Sequence, residues 1–393
     1  MRKRIPIGVC ILVTIMSCIA TYLITSIAMN SSHQQELNVL KEKASFYDKL
    51  SDVFRRVETS YIKGTEESNM DDAYLGAYIA SLDDPYSAYL TKEEMEEYLS
   101  ANEGNMIGIG INAVLDDDTG GIYVARVMNG SPAQKAGLLK GDIIIQAGDL
   151  EINNNFDEAI QVIRGNEGEA VTLKVKRGSE ILEFTIVREK FPYESVIYEA
   201  LDYNIAYITI TEFDGKTAEA FAEALEKAKN DGCEKYLFDV RNNPGGDLNA
   251  IMAVLDKLLP EGPIINIVDR KGNTTTKRSD AACLEAPMVV LVNENTASAA
   301  ELFTAALRDY KLATIVGTTT FGKGTMQTIT TLPDGSGLRL STYYYNPPFG
   351  ENYNGVGISP DVVIEMPEEL SKKFYKLTKE EDNQLQKAIE ILK

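Results

Sequence analysis

The chain has 393 residues, 44% of them apolar and 25% charged, which is ordinary for globular protein and long enough for two domains and an anchor. Its 39 basic residues against 59 acidic ones give a net charge of −20, which argues against sequence-independent nucleic-acid binding, since that needs a basic surface. There is one histidine, His33, and no tryptophan, so zinc sites built on histidine pairs are excluded and no histidine is placed to serve a catalytic triad.

The chain opens on "MRKR", after which Ile5 to Ser32 carry no formal charge. That run exceeds the roughly 20 residues that span a bilayer. Its basic flank places residues 1–32 as a cytoplasmic tip and single-pass transmembrane anchor, with the rest extracytoplasmic. A cleaved signal peptide, leaving a secreted protein, is the alternative, because Ser26-Ile27-Ala28 offers small residues at cleavage-like positions. Cys10 and Cys18 fall in the apolar run; Cys233 and Cys283 stand alone and read as small buried residues, with a disulfide between them left open. Residues 33–103 read as an N-terminal helical region. From His33 to Tyr61 a stripe including Leu50, Phe54 and Val57 recurs every three or four positions, an amphipathic helix that either packs on its own body or pairs two copies as a homodimer. Thr91 followed by Glu94 is a capping-box signature for a helix start.

Residues 104–188 carry short alternating strands and two helical segments, 131–138 and 156–164. "IGIGI" (Ile107, Gly108, Ile109, Gly110, Ile111) and "SPAQKAGLLKGDIIIQAG" give this unit its resemblance to a PDZ domain, a small β-barrel with two helices. The resemblance implies that the "IGIGI" amides take a peptide's terminal carboxylate while the following strand pairs with the peptide. Ile160, Ile163 and Arg164 of the second helix would line the groove, with Arg164 as a sensor of the bound peptide.

From 189 to 366 strands alternate with helices, which implies a layered α/β domain, and residues 367–393 read as a closing C-terminal helix. Three segments there carry chemistry. "VRNNPGGDL" places Gly245 and Gly246 in a turn before a helix, where free amides and the dipole favour an anion. "VNENTASAAELF" sets Ser298 where a strand gives way to a helix, with the Ala299 amide just after it. "GTTTFGKGTM" is G-x-x-x-x-G-K, but Gly324 stands where a phosphate-binding loop needs Ser or Thr, and the sequel "MQTITTL" reads as β rather than helix. A serine hydroxyl needs a base, and without a usable histidine the remaining chemistry is Ser–Lys, with Lys323 made neutral by burial.

"NENTASAAE", "GTTTFGKGTMQ", "RNNPGG", "DDPYSAYLT" and "GISPDVVIE" together resemble the C-terminal processing peptidases, or tail-specific proteases, over about residues 50–366. The resemblance implies a crotonase-like α/β catalytic domain with an inserted PDZ domain and serine endopeptidase activity without metal or cofactor. It makes Ser298 the nucleophile, Lys323 the general base and Gln327 the residue orienting it, with amides of Gly245 or Gly246 and of Ala299 as the oxyanion hole. Four residues of extended strand span about 13 Å, so Lys323 and Gln327 meet only if the chain bends, for which Gly324 is the candidate. The expected partners are proteins or peptides with accessible C-termini. The rival readings are an inert PDZ scaffold at the cell envelope and a nucleotide hydrolase.

Overall fold

The computed structural model describes residues 44–64, 70–280 and 283–393, with isolated helical positions between residues 16 and 41. The anchor expected at 5–32 falls largely outside the described residues, as do Cys10, Cys18 and His33; among the described residues no helix is long and apolar enough to cross a membrane. The chain divides into two units, 1–74 and 75–393. In the first, residues 44–60 are helical, with Leu50, Phe54 and Val57 half-buried as the apolar stripe requires.

The second unit holds the layered α/β core and the smaller β-rich domain expected to resemble a PDZ domain. In the N-terminal helical region the helix Met70–Ala80 stops just before Asp83, whose φ is 54°, and the chain turns around Pro85 as its sequence implies. A strand, Ala88–Leu90, follows and pairs antiparallel with Gly337–Asn346 of the core. The capping box then holds as expected: Thr91 Oγ1 accepts from Glu94 N–H at 3.2 Å and Glu94 Oε2 accepts from Thr91 N–H at 2.8 Å, starting the helix Lys92–Asn102. This segment therefore belongs to the α/β core rather than to a separate helical region.

The core sheet runs Val196–Leu201, Ile205–Ile210, Lys235–Asp239, Met288–Val292, Ala313–Gly317, Val362–Val363, with every pair parallel except the first. Its central strands are apolar on both faces. Ile208, Phe238, Val290 and Ile315 pack with the helices Thr217–Asn230, Leu248–Asp256 and Ala299–Asp309. Ile205, Leu237, Val289 and Val316 pack against Leu385, Ala388 and Leu392 of the last helix. Covering on both faces is why "MVVLV" is buried at every position. A second sheet sets Gly337–Asn346 between Ala88–Leu90 and Gly262–Asp269, adds Thr274–Ser279 at its edge, and pairs Thr325–Thr331 with the same long strand.

The closing segment is not one helix. It breaks into Glu368–Ser371, a 3-10 turn at Phe374–Lys376 and Asn383–Leu392. Tertiary bonds hold the break: buried Arg241 donates to Asp382 at 3.0 and 2.8 Å and lies 4.9 Å from the Phe374 ring centroid, while Asp382 caps the last helix through Leu385 N–H.

The PDZ domain enters and leaves through an antiparallel pair, Asn105–Gly108 with Glu189–Pro192. Between them lies one sheet in the order Ile111–Leu115, Ile122–Val127, Ile143–Ala147, Ala170–Arg177, Glu180–Val187, with Leu150–Glu151 pairing at Ile143–Ala147. The two expected helices are Pro132–Ala136, capped by Ser131 and ended by left-handed Gly137, and Phe156–Ile163. Cys233 and Cys283 are free thiols.

Candidate active site

The strand Met288–Val292 runs into a tight connection before the helix Ala299–Asp309. Thr296 Oγ1 donates to Val240 O at 2.9 Å and Ala297 N–H donates to Asn243 O at 2.9 Å, which pins this connection to the glycine turn beside it. Ser298, at the helix cap, has φ 56° and ψ −116°, a conformation that costs a non-glycine residue strain and that functional sites retain.

Gly245 and Gly246 lie against this cap at φ 108° and 138°. A Cβ on Gly245 would stand 2.7 Å from Ser298 Cβ, and one on Gly246 would stand 1.9 Å from Phe213 O, so neither position admits a side chain. Their amides differ. Gly245 N–H donates to Asn243 Oδ1 at 2.8 Å, whereas among the described residues neither Gly246 N–H nor Ala299 N–H has an acceptor.

Glu301 is the residue that sequence reasoning missed. It is 0% exposed, yet its carboxylate is fully used: Oε2 accepts from Ser298 N–H and Lys323 N–H, both at 2.8 Å, and Oε1 from Thr320 Oγ1 and Gly322 N–H, both at 2.6 Å. One buried charge thus ties the Ser298 cap to the lysine loop. The signal was present, because Ser298 and Glu301 have the same spacing, a hydroxyl residue followed three positions later by Glu, that marks the helix at Thr91.

Lys323 closes an irregular stretch before the strand Thr325–Thr331. Its carbonyl accepts from Tyr345 O–H at 2.7 Å, and its ammonium lies 4.5 Å from the Tyr86 ring centroid. Burial, aided by the Arg339 guanidinium, lowers its pKa against the opposing pull of Asp84 and Glu301. Gln327 lies on the strand beyond a register shift at Met326, so the chain is irregular there as well as before Thr325. Its amide donates to Ser341 Oγ at 3.0 Å and to Thr325 Oγ1 at 3.3 Å; among the described residues it has no hydrogen bond to Lys323.

Ser298, Ala299, Gly245, Gly246, Lys323, Gln327 and Tyr345 line one cavity of about 580 Å³. Met95, Tyr98 and Asn102 of the helix Lys92–Asn102 complete it, and nothing in that helix announced the role from sequence. The cavity gathers a hydroxyl on strained backbone, two free amides and a lysine of lowered basicity, the components that acyl transfer uses.

In the PDZ domain, Ile111–Leu115 is an edge strand. The Ile109 and Gly110 amides have no acceptor among the described residues, and Gly110, at φ 81°, has no room for a side chain against Ser131. Ile107 and Gly108 instead pair with Lys190 and Glu189. Ile163 is buried, Ile160 half-buried and Arg164 exposed. The end of that helix is held by buried Arg188, which donates to Ile163 O at 3.0 Å and Val162 O at 2.7 Å.

Two family models match the chain: Peptidase family S41 over residues 204–364 and PDZ domain over 123–177. A Staphylococcus aureus (strain COL) protein titled "Probable CtpA-like serine protease" is 34% identical over 352 residues, 88% of this chain and 70% of that protein. The carboxy-terminal processing protease CtpA of Bacillus subtilis (strain 168) is 32% identical over 377 residues, 94% of this chain and 79% of that one. Among solved structures, the photosystem II D1 C-terminal processing protease superposes with a TM-score of 0.51 at 26% identity, covering 81% of this chain and 86% of that one.

Proposed function

The chain belongs to peptidase family S41, a serine-type peptidase with a PDZ domain, and from that premise we propose that it cleaves proteins captured by their C-termini through a Ser298–Lys323 acyl-enzyme. Neutral Lys323 takes the Ser298 proton as the hydroxyl attacks a peptide carbonyl. The carbonyl electrons move to oxygen, where the Gly246 and Ala299 amides hold the charge. Collapse expels the amine, which takes the proton from Lys323, and water then releases the acyl group by the same route in reverse. Gly245 is left out because its amide is already bound to Asn243. Gln327 acts on Lys323 only after leaving Ser341, a rearrangement assigned here to the substrate-bound state. The Ile109 and Gly110 amides take the terminal carboxylate of the captured protein, and the edge strand Ile111–Leu115 pairs with its tail. The uncharged stretch 5–32 tethers the enzyme to the membrane, with the catalytic domain outside the cytoplasm.

The observation that carries this reading is the shared cavity: a strained serine, two unengaged amides and a lysine whose charge is disfavoured by burial all open into it. The test is hydrolysis of an unfolded protein substrate. Ser298→Ala and Lys323→Ala should each lower turnover by about 10³-fold or more while binding of a C-terminal peptide persists. The neutral amine is the active form, so kcat/KM should climb as pH rises towards the lysine pKa and level off below the pH of an ordinary lysine. Full activity in either variant, or a rate that does not change with pH, removes the mechanism.

A further inference from the structure

One wall of the catalytic cavity is acidic. Glu212 and Asp214 line it from the turn after the strand Ile205–Ile210, and Asp247 lines it from the cap of the helix Leu248–Asp256. These residues flank the glycine turn: Phe213 N–H donates to Gly245 O at 2.8 Å and Asp247 N–H donates to Phe213 O at 2.7 Å. Among the described residues no cation pairs with them: Asp214 Oδ1 accepts from Lys216 N–H at 2.7 Å and from Thr217 Oγ1 at 3.1 Å, and Asp247 Oδ1 accepts from Ala250 N–H at 2.9 Å, all uncharged donors. Among the described residues the Glu212 carboxyl has no hydrogen-bond donor, and Asp214, 2% exposed, has no partner for Oδ2. Lys216, next along the chain, commits its ammonium to Gly104 O at 2.9 Å and Asn105 Oδ1 at 2.7 Å. The cations that do line the cavity are Lys323, whose charge burial disfavours, and Arg339, which donates to Tyr86 O at 3.0 Å.

Asp214 is buried and Glu212 and Asp247 are half-buried, and carboxylates drawn from water without a countercharge are costly unless something supplies one. Burial and the neighbouring Asp214 push the Glu212 carboxyl up to about 7. The other titratable groups around it are Asp247, the Tyr98 and Tyr193 phenols, both raised by burial, and Arg126, which is paired with Glu194. We propose that this wall is a specificity site for a lysine or arginine side chain of the substrate near the scissile bond, with Glu212 and Asp247 as acceptors and Asp214 adding its charge from behind. Met95, Ile251, Ile265, Leu302 and Met326, in the same cavity, leave the remaining surface to apolar side chains.

The inference rests on the peptidase reading above, and the experiment separates the two. The full chain is given a peptide series with lysine, norleucine or glutamate at each position flanking the cleaved bond, at pH 6 and pH 8. At one position lysine should exceed norleucine by about tenfold in kcat/KM at pH 8, with glutamate poorest, as expected for one hydrogen-bonded charge pair. The ratio should narrow at pH 6 as Glu212 takes a proton, and Glu212→Gln should hold it near the pH 6 value at both pH values. If norleucine peptides are cut as well as lysine peptides at every position, the specificity site falls and the peptidase reading stands. If no peptide is cut faster than by Ser298→Ala, both fall.

Discussion

Glu301 shows how much one side chain decides in this site. Its carboxylate accepts three backbone N–H groups and one hydroxyl, joining two segments 22 residues apart. Hydrogen bonds to a charged group contribute about 1.5–3 kcal/mol each, though not additively. Glutamine keeps the size but presents an NH₂ group to backbone donors on one side. Glu301→Gln should therefore lower kcat about 10- to 100-fold, through displacement of Ser298 and Lys323, and slow labelling of Ser298 by a serine-reactive probe to a similar degree. A labelling rate equal to wild type would show that the clamp does not position the nucleophile. The role of Glu301 was legible as helix-cap spacing, but the second half of its work was not. Contact with Thr320, Gly322 and Lys323 comes only when the strand Ala313–Gly317 docks beside Met288–Val292.

At the level of elements, the turn 242–247 decides which amide faces the cavity. The sequence places two adjacent glycines there without ranking them. The tertiary contact ranks them, because Asn243 takes the Gly245 amide and leaves that of Gly246 free. A methyl group on Gly246 would meet Phe213 O at 1.9 Å, backbone against backbone, so Gly246→Ala must move the turn. It should lower kcat/KM by about 10²-fold or more, comparable to loss of an oxyanion donor, while peptide binding to the PDZ domain is unchanged. Kinetics and peptide titration on the same preparation check both halves. In the PDZ domain, the sequence drew attention to Arg164 at the end of the helix Phe156–Ile163. The guanidinium that holds that helix end is Arg188, which lies 25 residues beyond Ile163 in the chain. Sequence spacing identifies the helix but not the residue that closes it.

Across the whole molecule, a buried network fastens the C-terminal segment to the core. Arg241 bridges Asp239 and Asp382, Tyr207 O–H donates to Asp239 at 2.6 Å, and Gln384 accepts from the same guanidinium at 3.0 Å. The segment so held also carries Lys376, whose ammonium pairs with buried Asp116 of the PDZ domain and lies 5.0 Å from the Tyr123 ring centroid. Removing one partner from a buried ion pair strands the other and costs about 3–5 kcal/mol. Asp382→Ala should lower the melting temperature by several degrees, readable by calorimetry, and should loosen the last helix first, readable as faster amide exchange in residues 383–392. Unchanged exchange there would mean that apolar packing of Leu385, Ala388 and Leu392 alone holds the helix.

The sequence by itself determined the alternation of strands and helices, the inserted PDZ unit, and the serine, lysine and glycine motifs, because these depend on local periodicity, turn chemistry and residue type. Tertiary structure alone decided that the strand Ala88–Leu90 and the helix Lys92–Asn102 serve the catalytic core, that the closing segment breaks, that Gln327 rests on Ser341, and that Glu301 joins serine to lysine. Each of those depends on a partner distant in the chain, and local pattern carries no information about which distant groups will be brought within hydrogen-bond reach.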